Sequence, residues 1–367
     1  MVTDKHDLNE NKNDNKNLKA DLTNAQVLPI GKLDSDLLRE LVFRHLTYRR
    51  SDVKNRPGIG LDCAILDFGE FDCIISSDPI SAATNDIGRL AVHINCNDIA
   101  TQGVAPMAMT LVLLLPESTT TEQLEEIMIQ AGSESASLGV EIVGGHTEIT
   151  DAVNKPVAIA TCFGKSLSSG NDFDMKPGDK VLISKLAGLE GTAIICSDTE
   201  SRLNFLSSEE IEHGKSFMNQ LSVVKEGVIS GEVGYCGMHD VTEGGILGAV
   251  WEICQVAKLG VKLYENKIPV DPVTLKLAKK LDFDYLRLIS SGSMVIVAES
   301  ENADEIIKRC RDAGVEISEI GEMTPVSEGY KILIDTDRYN SQTEGGWQNI
   351  DPPAGDHLYK AFDNLNK

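Results

Sequence analysis

The sequence predicts an α/β protein, α+β arrangements included, that folds as two domains. Segments with the apolar spacing of strands alternate with segments that have the spacing of helices. The chain has 367 residues, more than a single hydrophobic core usually contains. Apolar residues make up 41 % of it and aromatic residues only 5 %, a mixture typical of cores built from Val, Ile, Leu and Ala. We therefore expect two domains of ordinary size.

An N-terminal domain is predicted over residues 27–165, preceded by a disordered arm at 1–26. The arm is polar from its first residues and lacks the apolar core of a signal peptide. Helices are predicted over 35–46, over 87–101 and after Thr120, where Thr120 and Gln123 have the spacing of a capping box and Gly139 ends the pattern. The predicted strands cover 63–68, 71–76, 107–115, 140–143 and 157–163.

A C-terminal domain is predicted over residues 175–340. It follows a segment at 165–179 that is rich in Ser, Gly, Asp and Pro, the composition of an interdomain linker. Helices are predicted at 244–258 and 302–313. The predicted strands cover 180–184, 235–239, 260–263, 292–298, 316–321 and 330–335. Residues 341–367 are acidic and contain proline, so we expect a tail whose last ordered part is a short helix at 357–365.

The charge of the chain disfavours two classes of partner. It has 34 basic and 57 acidic residues, a formal net charge of −23, which repels phosphate backbones and anionic lipid head groups. The longest apolar run, at 107–115, is too short to span a bilayer. We therefore expect neither a nucleic-acid nor a membrane partner.

The eight cysteines indicate a reducing compartment. None of them forms a C-x-x-C pair, which argues against a zinc knuckle or a thioredoxin-like motif, and most lie inside apolar runs. Buried, reduced thiols of this kind are typical of cytosolic proteins. The sequence therefore predicts a cytoplasmic location.

Four aspartates occur where a strand or a glycine turn passes into a helix or a loop. They are Asp62, Asp78, Asp98 and Asp240. Taken singly, each has an ordinary interpretation as a turn, surface or helix-capping residue. If they converge, they form an oxygen-ligand site for magnesium, which bridges to nucleotide phosphates. The sequence by itself does not show that they converge.

Two glycine pairs add a second candidate feature. GGHTE at 144–148 follows a short apolar strand, and TEGG at 242–245 opens a helix. Both pairs have the composition of turns that present backbone N–H groups to an anion at close range. The alternative is a tight turn or helix start that only requires a small residue.

These motifs, taken in order, resemble a known superfamily. GIGLDCAIL, SSD, DIGRLAVHINCNDIATQGVAPMAM, VEIVGGHTEI and HDVTEGGILGAVWEI follow one another at the spacing of the AIR synthase-related, HypE-like proteins of the PurM-like superfamily. The resemblance extends from about residue 58 to 335. It implies a two-domain PurM-like fold, a homodimer whose N-terminal sheets form a shared barrel, and ATP held between the domains with magnesium on aspartates.

The resemblance also implies roles for individual residues. The implied metal ligands are Asp62, Asp78, Asp98 and Asp240. The implied catalytic residues are Asp98, His146 and Glu148. The implied nucleotide-binding residues are Lys54, Gly60, Asn97, Gly144, Gly145, Thr147 and Glu243.

The chain departs from the HypE pattern at three places. Leu61 stands where HypE-like proteins commonly have an acid, and His146 stands where they tend to have an aspartate. HypE ends in a cysteine that carries the group being dehydrated, whereas no cysteine follows Cys310 in this sequence. We therefore do not expect the chain to carry out HypE's own reaction.

The resemblance implies an ATP- and magnesium-dependent enzyme that activates a substrate oxygen by phosphoryl transfer, in the manner of a ligase or synthetase. Its substrate is an unknown small molecule or protein-bound group. Two alternatives stay open at this point. One is a small-molecule kinase like thiamine monophosphate kinase, and the other is a non-catalytic nucleotide-binding scaffold within a maturation complex.

Overall fold

The computed structural model describes residues 28, 33, 35–81, 86–167, 174–334 and 346–365. The chain divides into two compact units, Met1–Leu33 and Asp34–Lys367. Only two residues of the first unit are described, so the account below concerns the second. The arm predicted at 1–26 lies outside the described residues.

The first sheet of this unit has five strands in the order β1-β2-β5-β3-β4. Its pairs are antiparallel except for β3 with β4, which are parallel. The strands are β1 (Ala64–Asp67), β2 (Asp72–Ile80), β3 (Pro106–Leu115), β4 (Glu141–Ile149) and β5 (Val157–Ser166). The α-helices before and within this half are α1 (Ser35–Leu37), α2 (Ile87–Thr101) and α3 (Thr121–Leu138).

The predicted limits of α3 are confirmed. Thr120 and Gln123 form the capping box, and Gly139 ends the helix with a left-handed φ of 69°. Helix α2 also has the predicted bounds, and nearly all of its residues are buried. A helix that is buried all round must be covered on every side. Helix α2 packs against β2, β5 and α3 of this half, and against α6 (Val224–Val233) and β7 (Gly237–Asp240) of the other half.

The second sheet has seven strands in the order β12-β11-β8-β10-β6-β9-β7. Its pairs are antiparallel except for β8 with β11. The strands are β6 (Lys180–Ser184), β7 (Gly237–Asp240), β8 (Gly260–Tyr264), β9 (Met294–Ala298), β10 (Ile317–Thr324), β11 (Tyr330–Ile334) and β12 (Gly346–Asn349). The helices are α4 (Leu189–Asp198), α5 (Ser208–Ser216), α6 (Val224–Val233), α7 (Gly245–Ala257), α8 (Pro272–Leu281), α9 (Ser300–Asp312) and α10 (His357–Leu365).

The structure corrects the predicted tail and the predicted strand at 140–143. The predicted tail from residue 341 is not separate from the C-terminal domain, because β12 pairs with β11 and α10 buries Leu358 and Ala361. The predicted strand at 140–143 continues to Ile149, so the GGHTE segment belongs to a strand and not to a turn. In both places local composition indicated a loop, and pairing with a neighbouring strand overrode it.

Helices α2 and α6 pack against each other and join the two halves of the unit. A Cβ atom on Gly227 of α6 would lie 2.5 Å from the carbonyl oxygen of Ala100 in α2, so this helix contact requires a glycine. Within the described parts of the chain, we find no helix with the length and hydrophobicity needed to cross a membrane.

Candidate metal and nucleotide site

The structure brings the four predicted aspartates together where the two sheets meet. Asp62 lies in the loop before β1, Asp78 near the end of β2, Asp98 in α2, and Asp240 at the end of β7. Burial raises the pKa of Asp98 well above its usual range, and the charges of Asp240, Asp78 and Asp62 raise it further. The four carboxylates therefore share one electrostatic environment although they come from four separate elements.

Asp98 is the buried centre of this group. It is only 3 % exposed, and Ser76 Oγ donates a hydrogen bond to its Oδ2 at 2.5 Å. Asp78 is exposed, and its backbone N–H donates to Asn95 Oδ1 at 2.9 Å. Helix α2 thus both supplies Asp98 and fixes the end of β2 that carries Asp78.

The group fits a cation. Asp240 is 1 % exposed, and its Oδ2 has no hydrogen-bond partner among the described residues. A buried carboxylate oxygen without a partner is costly, and several carboxylates in one place repel one another or take up protons. Magnesium prefers oxygen ligands, so the donor set suits it.

His239, which the sequence analysis passed over, belongs to the same group. It is 3 % exposed, its Nδ1 lies 3.4 Å from Asp62 Oδ2 and 3.6 Å from Asp240 Oδ1, and its Nε2 lies 2.8 Å from Glu252 Oε2. Burial lowers the pKa of His239, but Asp62, Asp240 and Glu252 raise it, and the result lies well above its usual value.

The alternation of side chains along a strand explains why the sequence did not indicate His239. Successive side chains in a strand point to opposite faces, which predicts that His239 and Asp240 diverge. Asp240 is the last residue of β7, where that alternation need not continue. The only signal in the sequence was the adjacent His-Asp pair.

Two residues predicted to bind the nucleotide, Asn97 and Gly60, instead contact the second half of the unit. Asn97 Nδ2 donates to the Leu221 carbonyl oxygen at 2.8 Å, and its Oδ1 accepts from the backbone N–H of Val223 at 2.9 Å. Gly60 has a φ of 73°, and a Cβ there would lie 2.8 Å from the Glu252 carbonyl oxygen. Both residues hold the first half of the unit against the second.

The structure does not bring Lys54 to the aspartates. Its Nζ lies 2.6 Å from Oδ1 of the buried Asp72, which begins β2. Asp78 lies six residues further along the same strand, about 20 Å away at the usual rise per residue. The Lys54 ammonium therefore neutralises Asp72 at the opposite end of β2.

The GGHTE residues lie on the edge strand β4, away from the aspartates in the same chain. Asp78 pairs with Ala160, Ala160 with Leu111, and Leu111 with Gly145. Asp78 and Gly145, at the two ends of this row of paired residues, are three strand spacings apart, or about 14 Å. Gly145 and Thr147 share the Asp78 face of the sheet, whereas Gly144, His146 and Glu148 lie on the opposite face, because side chains alternate along a strand.

Within β4, only one of the two glycine positions lacks room for a side chain. Gly145 has a φ of 147°, and a Cβ there would overlap the carbonyl oxygen of Leu111. A Cβ on Gly144 would meet nothing within 4 Å. The pairing of β3 with β4 therefore requires Gly145 but not Gly144. His146 Nε2 lies 3.5 Å from Glu148 Oε2, and both side chains are exposed.

Comparisons with known proteins agree with this architecture. Residues 60–166 match the N-terminal domain, and residues 176–333 the C-terminal domain, of AIR synthase related proteins. Together these stretches cover well over half of the chain. The chain belongs to the AIR synthase-related family.

Relatives in this family include hydrogenase maturation proteins. A putative hydrogenase expression/formation protein of Methanocaldococcus jannaschii is 27 % identical over 344 residues, covering 89 % of this chain and 96 % of that protein. The carbamoyl dehydratase HypE of Bradyrhizobium diazoefficiens is 29 % identical over 250 residues, covering 66 % of this chain and 70 % of the relative.

Solved structures show the same PurM-like fold. A HypE–HypF complex aligns with a TM-score of 0.71 at 24 % identity, covering 86 % of this chain and 99 % of that chain. A HypE in complex with ATP aligns with a TM-score of 0.67 at 22 % identity, covering 90 % and 97 %. The two-domain PurM-like fold predicted from the motifs is confirmed.

A second acidic group lies beside helix α7 of this AIR synthase-related chain. Burial raises the pKa of Glu190 to about 7, with the charges of Asp356 and Glu243 adding to the effect. Burial likewise raises the pKa of Asp356 to about 6. Glu243, predicted as a nucleotide ligand, is thus placed with Glu190 and Asp356.

The TEGG glycine turn already binds an anionic group from its own chain. Asp356 Oδ2 accepts a hydrogen bond from the backbone N–H of Gly244 at 2.8 Å. This N–H stands at the N-terminus of α7, where a negative charge is favourable. Sequence reasoning missed the contact because it assigned Asp356 to a separate tail.

Proposed function

We propose that the chain is an ATP- and magnesium-dependent enzyme that activates a substrate oxygen by phosphoryl transfer from ATP. The observation that carries this proposal is the convergence of Asp62, Asp78 and Asp240 on the buried Asp98 between the two sheets. Such a set of carboxylates can bind a hard cation, and a cation bound in this way can coordinate nucleotide phosphates.

The chain's own residues hold this site in shape. Asp62, Asp78, Asp98 and Asp240 would bind the magnesium, which when bound neutralises charge on the phosphates. Ser76 fixes the Asp98 carboxylate, and Asn95 fixes the backbone of Asp78. Because helix α2 is buried against both sheets, the carboxylates keep their positions without reorganisation, which is the main requirement of phosphoryl transfer on a protein.

The relatives support the nucleotide part of the proposal and leave the substrate open. A HypE has been solved with ATP, and a ThiL with AMPPCP and TMP shares the fold with a TM-score of 0.66 at 14 % identity, covering 87 % of this chain and 100 % of that chain. The substrate is a small molecule or a protein-bound group.

A kinase is the second candidate, and the fold shared with ThiL favours it. The same carboxylates would position ATP in both reactions, but a kinase leaves the phosphate on its product. The scaffold alternative is disfavoured, since a protein that only displays bound nucleotide does not require four converging carboxylates. All eight cysteines are free thiols, which supports a cytoplasmic location for either enzyme.

An isotope experiment separates the two reactions. The protein is incubated with magnesium, ATP and a panel of amides and carboxylates whose reacting oxygen is ¹⁸O, and products are identified by mass. Ammonium is added as the nucleophile that displaces phosphate from an activated carboxylate, whereas an activated amide loses phosphate by elimination to the nitrile. We expect the label to appear in inorganic phosphate, because the activated oxygen leaves with the phosphoryl group. A stable product that carries both the phosphate and the label would establish the kinase instead. The Asp98→Asn protein serves as the control without turnover.

We further propose a homodimer formed by the first sheet. The face opposite α2 and α3 carries half-buried Val112, Leu114, Ile159 and Phe163, and the described residues of this chain do not cover it. At the edge strand, Val143 is 57 % exposed. A second copy of the same apolar face is the complementary surface that a symmetric dimer requires.

Light scattering tests the dimer. We expect about twice the chain mass of 39.8 kDa at micromolar concentration. Ile159→Asp, which places a charge in the middle of the apolar face, is expected to give the monomer. Phe68→Ser removes an exposed ring outside this face, 70 % exposed, and should leave the dimer intact. A monomeric wild-type protein would contradict the proposal.

A further inference from the structure

Three side chains place one possible metal-ligand atom each close to the other two. The atoms of Asp62, His239 and Asp240 all lie within 4.8 Å of one another. His239 Nδ1 is 3.4 Å from Asp62 Oδ2 and 3.6 Å from Asp240 Oδ1, longer than N–H···O hydrogen bonds of about 2.7–3.2 Å. Two ligands of a tetrahedral ion with bonds of about 2.1 Å lie ~3.4 Å apart. The spacing therefore fits ligands of one cation better than a hydrogen bond.

The histidine is oriented as a ligand. Its Nε2 is paired with Glu252 Oε2 at 2.8 Å, so Nδ1 is the nitrogen that faces Asp62 and Asp240. A carboxylate on the outer nitrogen is one of the partners that orient metal-binding histidines, together with backbone carbonyls and water. His239 is 3 % exposed, and its Nδ1 has no hydrogen-bond partner among the described residues. Asp240 Oδ2 is likewise buried without one, and a metal ion would satisfy both atoms.

We propose that Asp62, His239 and Asp240 bind a divalent transition metal ion, such as Zn²⁺ or Mn²⁺, through a mixed nitrogen and oxygen ligand set. Imidazole favours these ions over magnesium, which selects oxygen ligands and near-octahedral geometry. Leu61 stands beside Asp62 in the loop, and His239 from the second sheet supplies the third ligand. Asp62 and Asp240 would then be shared between this ion and the magnesium held with Asp78 and Asp98, as in a two-metal site. The inference rests on the proposed function only in assigning the aspartates to cations, and it does not require ATP.

Cobalt is the probe, because its visible absorption reports coordination. One equivalent of Co²⁺ is added to the metal-free full-length protein. We expect a 1:1 complex with the intense absorption of a four-coordinate site, displaced by Zn²⁺ but not by a large excess of Mg²⁺. His239→Gln should abolish this spectrum. Glu252→Gln, which removes only the orienting carboxylate, should weaken the affinity about 10- to 100-fold.

The matched control is His93→Gln. His93 is also buried, and its Nε2 lies 3.1 Å from Glu134 Oε2, so the control removes a second buried histidine–glutamate pair. It should leave the cobalt spectrum unchanged. An unchanged spectrum in His239→Gln, displacement by Mg²⁺, or no binding by the wild type would each overturn the proposal.

A second measurement does not depend on the folding of any variant. The Mn²⁺-loaded wild-type protein, labelled with ¹⁵N-histidine, should show nitrogen coupling in its electron paramagnetic resonance, and absence of that coupling would overturn the proposal. The rise in melting temperature with magnesium-ATP is measured in parallel. A preserved rise without cobalt binding contradicts this inference alone, and cobalt binding without the rise contradicts the proposed function alone.

Discussion

In metal-free buffer, the Asp98→Asn protein is expected to be more stable than the wild type by at least about 1–3 kcal/mol, the usual cost of an unsatisfied buried polar group, which is larger for a charged one. Burial and three neighbouring aspartates disfavour the Asp98 carboxylate. Asparagine removes that charge, and its side-chain oxygen can still accept the hydrogen bond from Ser76. The measurement is urea denaturation with a chelator present.

With magnesium and ATP, the wild type is expected to become more stable than Asp98→Asn. Ligand binding to the folded state stabilises the wild type by about 2.7 kcal/mol at one hundred times the dissociation constant, whereas the variant lacks the central carboxylate and gains little. Asp312→Asn changes a carboxylate that is 71 % exposed and remote from the cluster, so it should behave as the wild type in both buffers. If magnesium and ATP raised the unfolding free energy of Asp98→Asn as much as that of the wild type, Asp98 would not be a metal ligand.

The wild type is expected to lose about 2–3 kcal/mol of unfolding free energy through Glu190 alone between pH 5 and pH 8. Burial raises the pKa of Glu190 from its ordinary 4.5 to about 7, so the folded state binds more protons than the unfolded state in this range. Stability therefore falls as the pH rises through the folded-state pKa. Asp356, with a pKa of about 6, acts in the same direction.

Urea denaturation at the two pH values, with the Glu190→Gln variant in parallel, isolates this contribution. The variant cannot ionise at this position, so its loss of stability should be smaller than that of the wild type by the same 2–3 kcal/mol. Glu316→Gln alters a carboxylate that is 79 % exposed and should follow the wild type. Equal slopes for the wild type and Glu190→Gln would show that Glu190 does not titrate in this range.

Local patterns in the sequence were sufficient for most helices and strands. The limits of α2 and α3 follow from apolar spacing, the capping box at Thr120 and the glycine at 139. The ordered motifs were sufficient for the family. Strand ends were less accurate at β2 and β4, because pairing with β5 and β3 extends each strand beyond its apolar run.

For the candidate site, too, the sequence indicated some residues correctly and tertiary packing decided the others. Asp62, Asp78, Asp98 and Asp240 were named from their positions at the ends of elements, and they meet because α2 lies between the two sheets. Lys54 and His146 were implied by the family resemblance, yet they lie elsewhere, because Lys54 neutralises the buried Asp72 and His146 faces the other side of β4. Residue type and spacing do not distinguish these cases.

The sequence by itself determined the family, the alternation of helices and strands, and the residue types that suit a cation. Only the tertiary structure decided which of those residues share a site. It added His239 and Glu252 to the aspartates and brought Asp356 from the predicted tail to the N-terminus of α7. The physical reason is that local spacing specifies the period and the ends of an element, whereas contacts between residues distant in the chain depend on how whole elements pack.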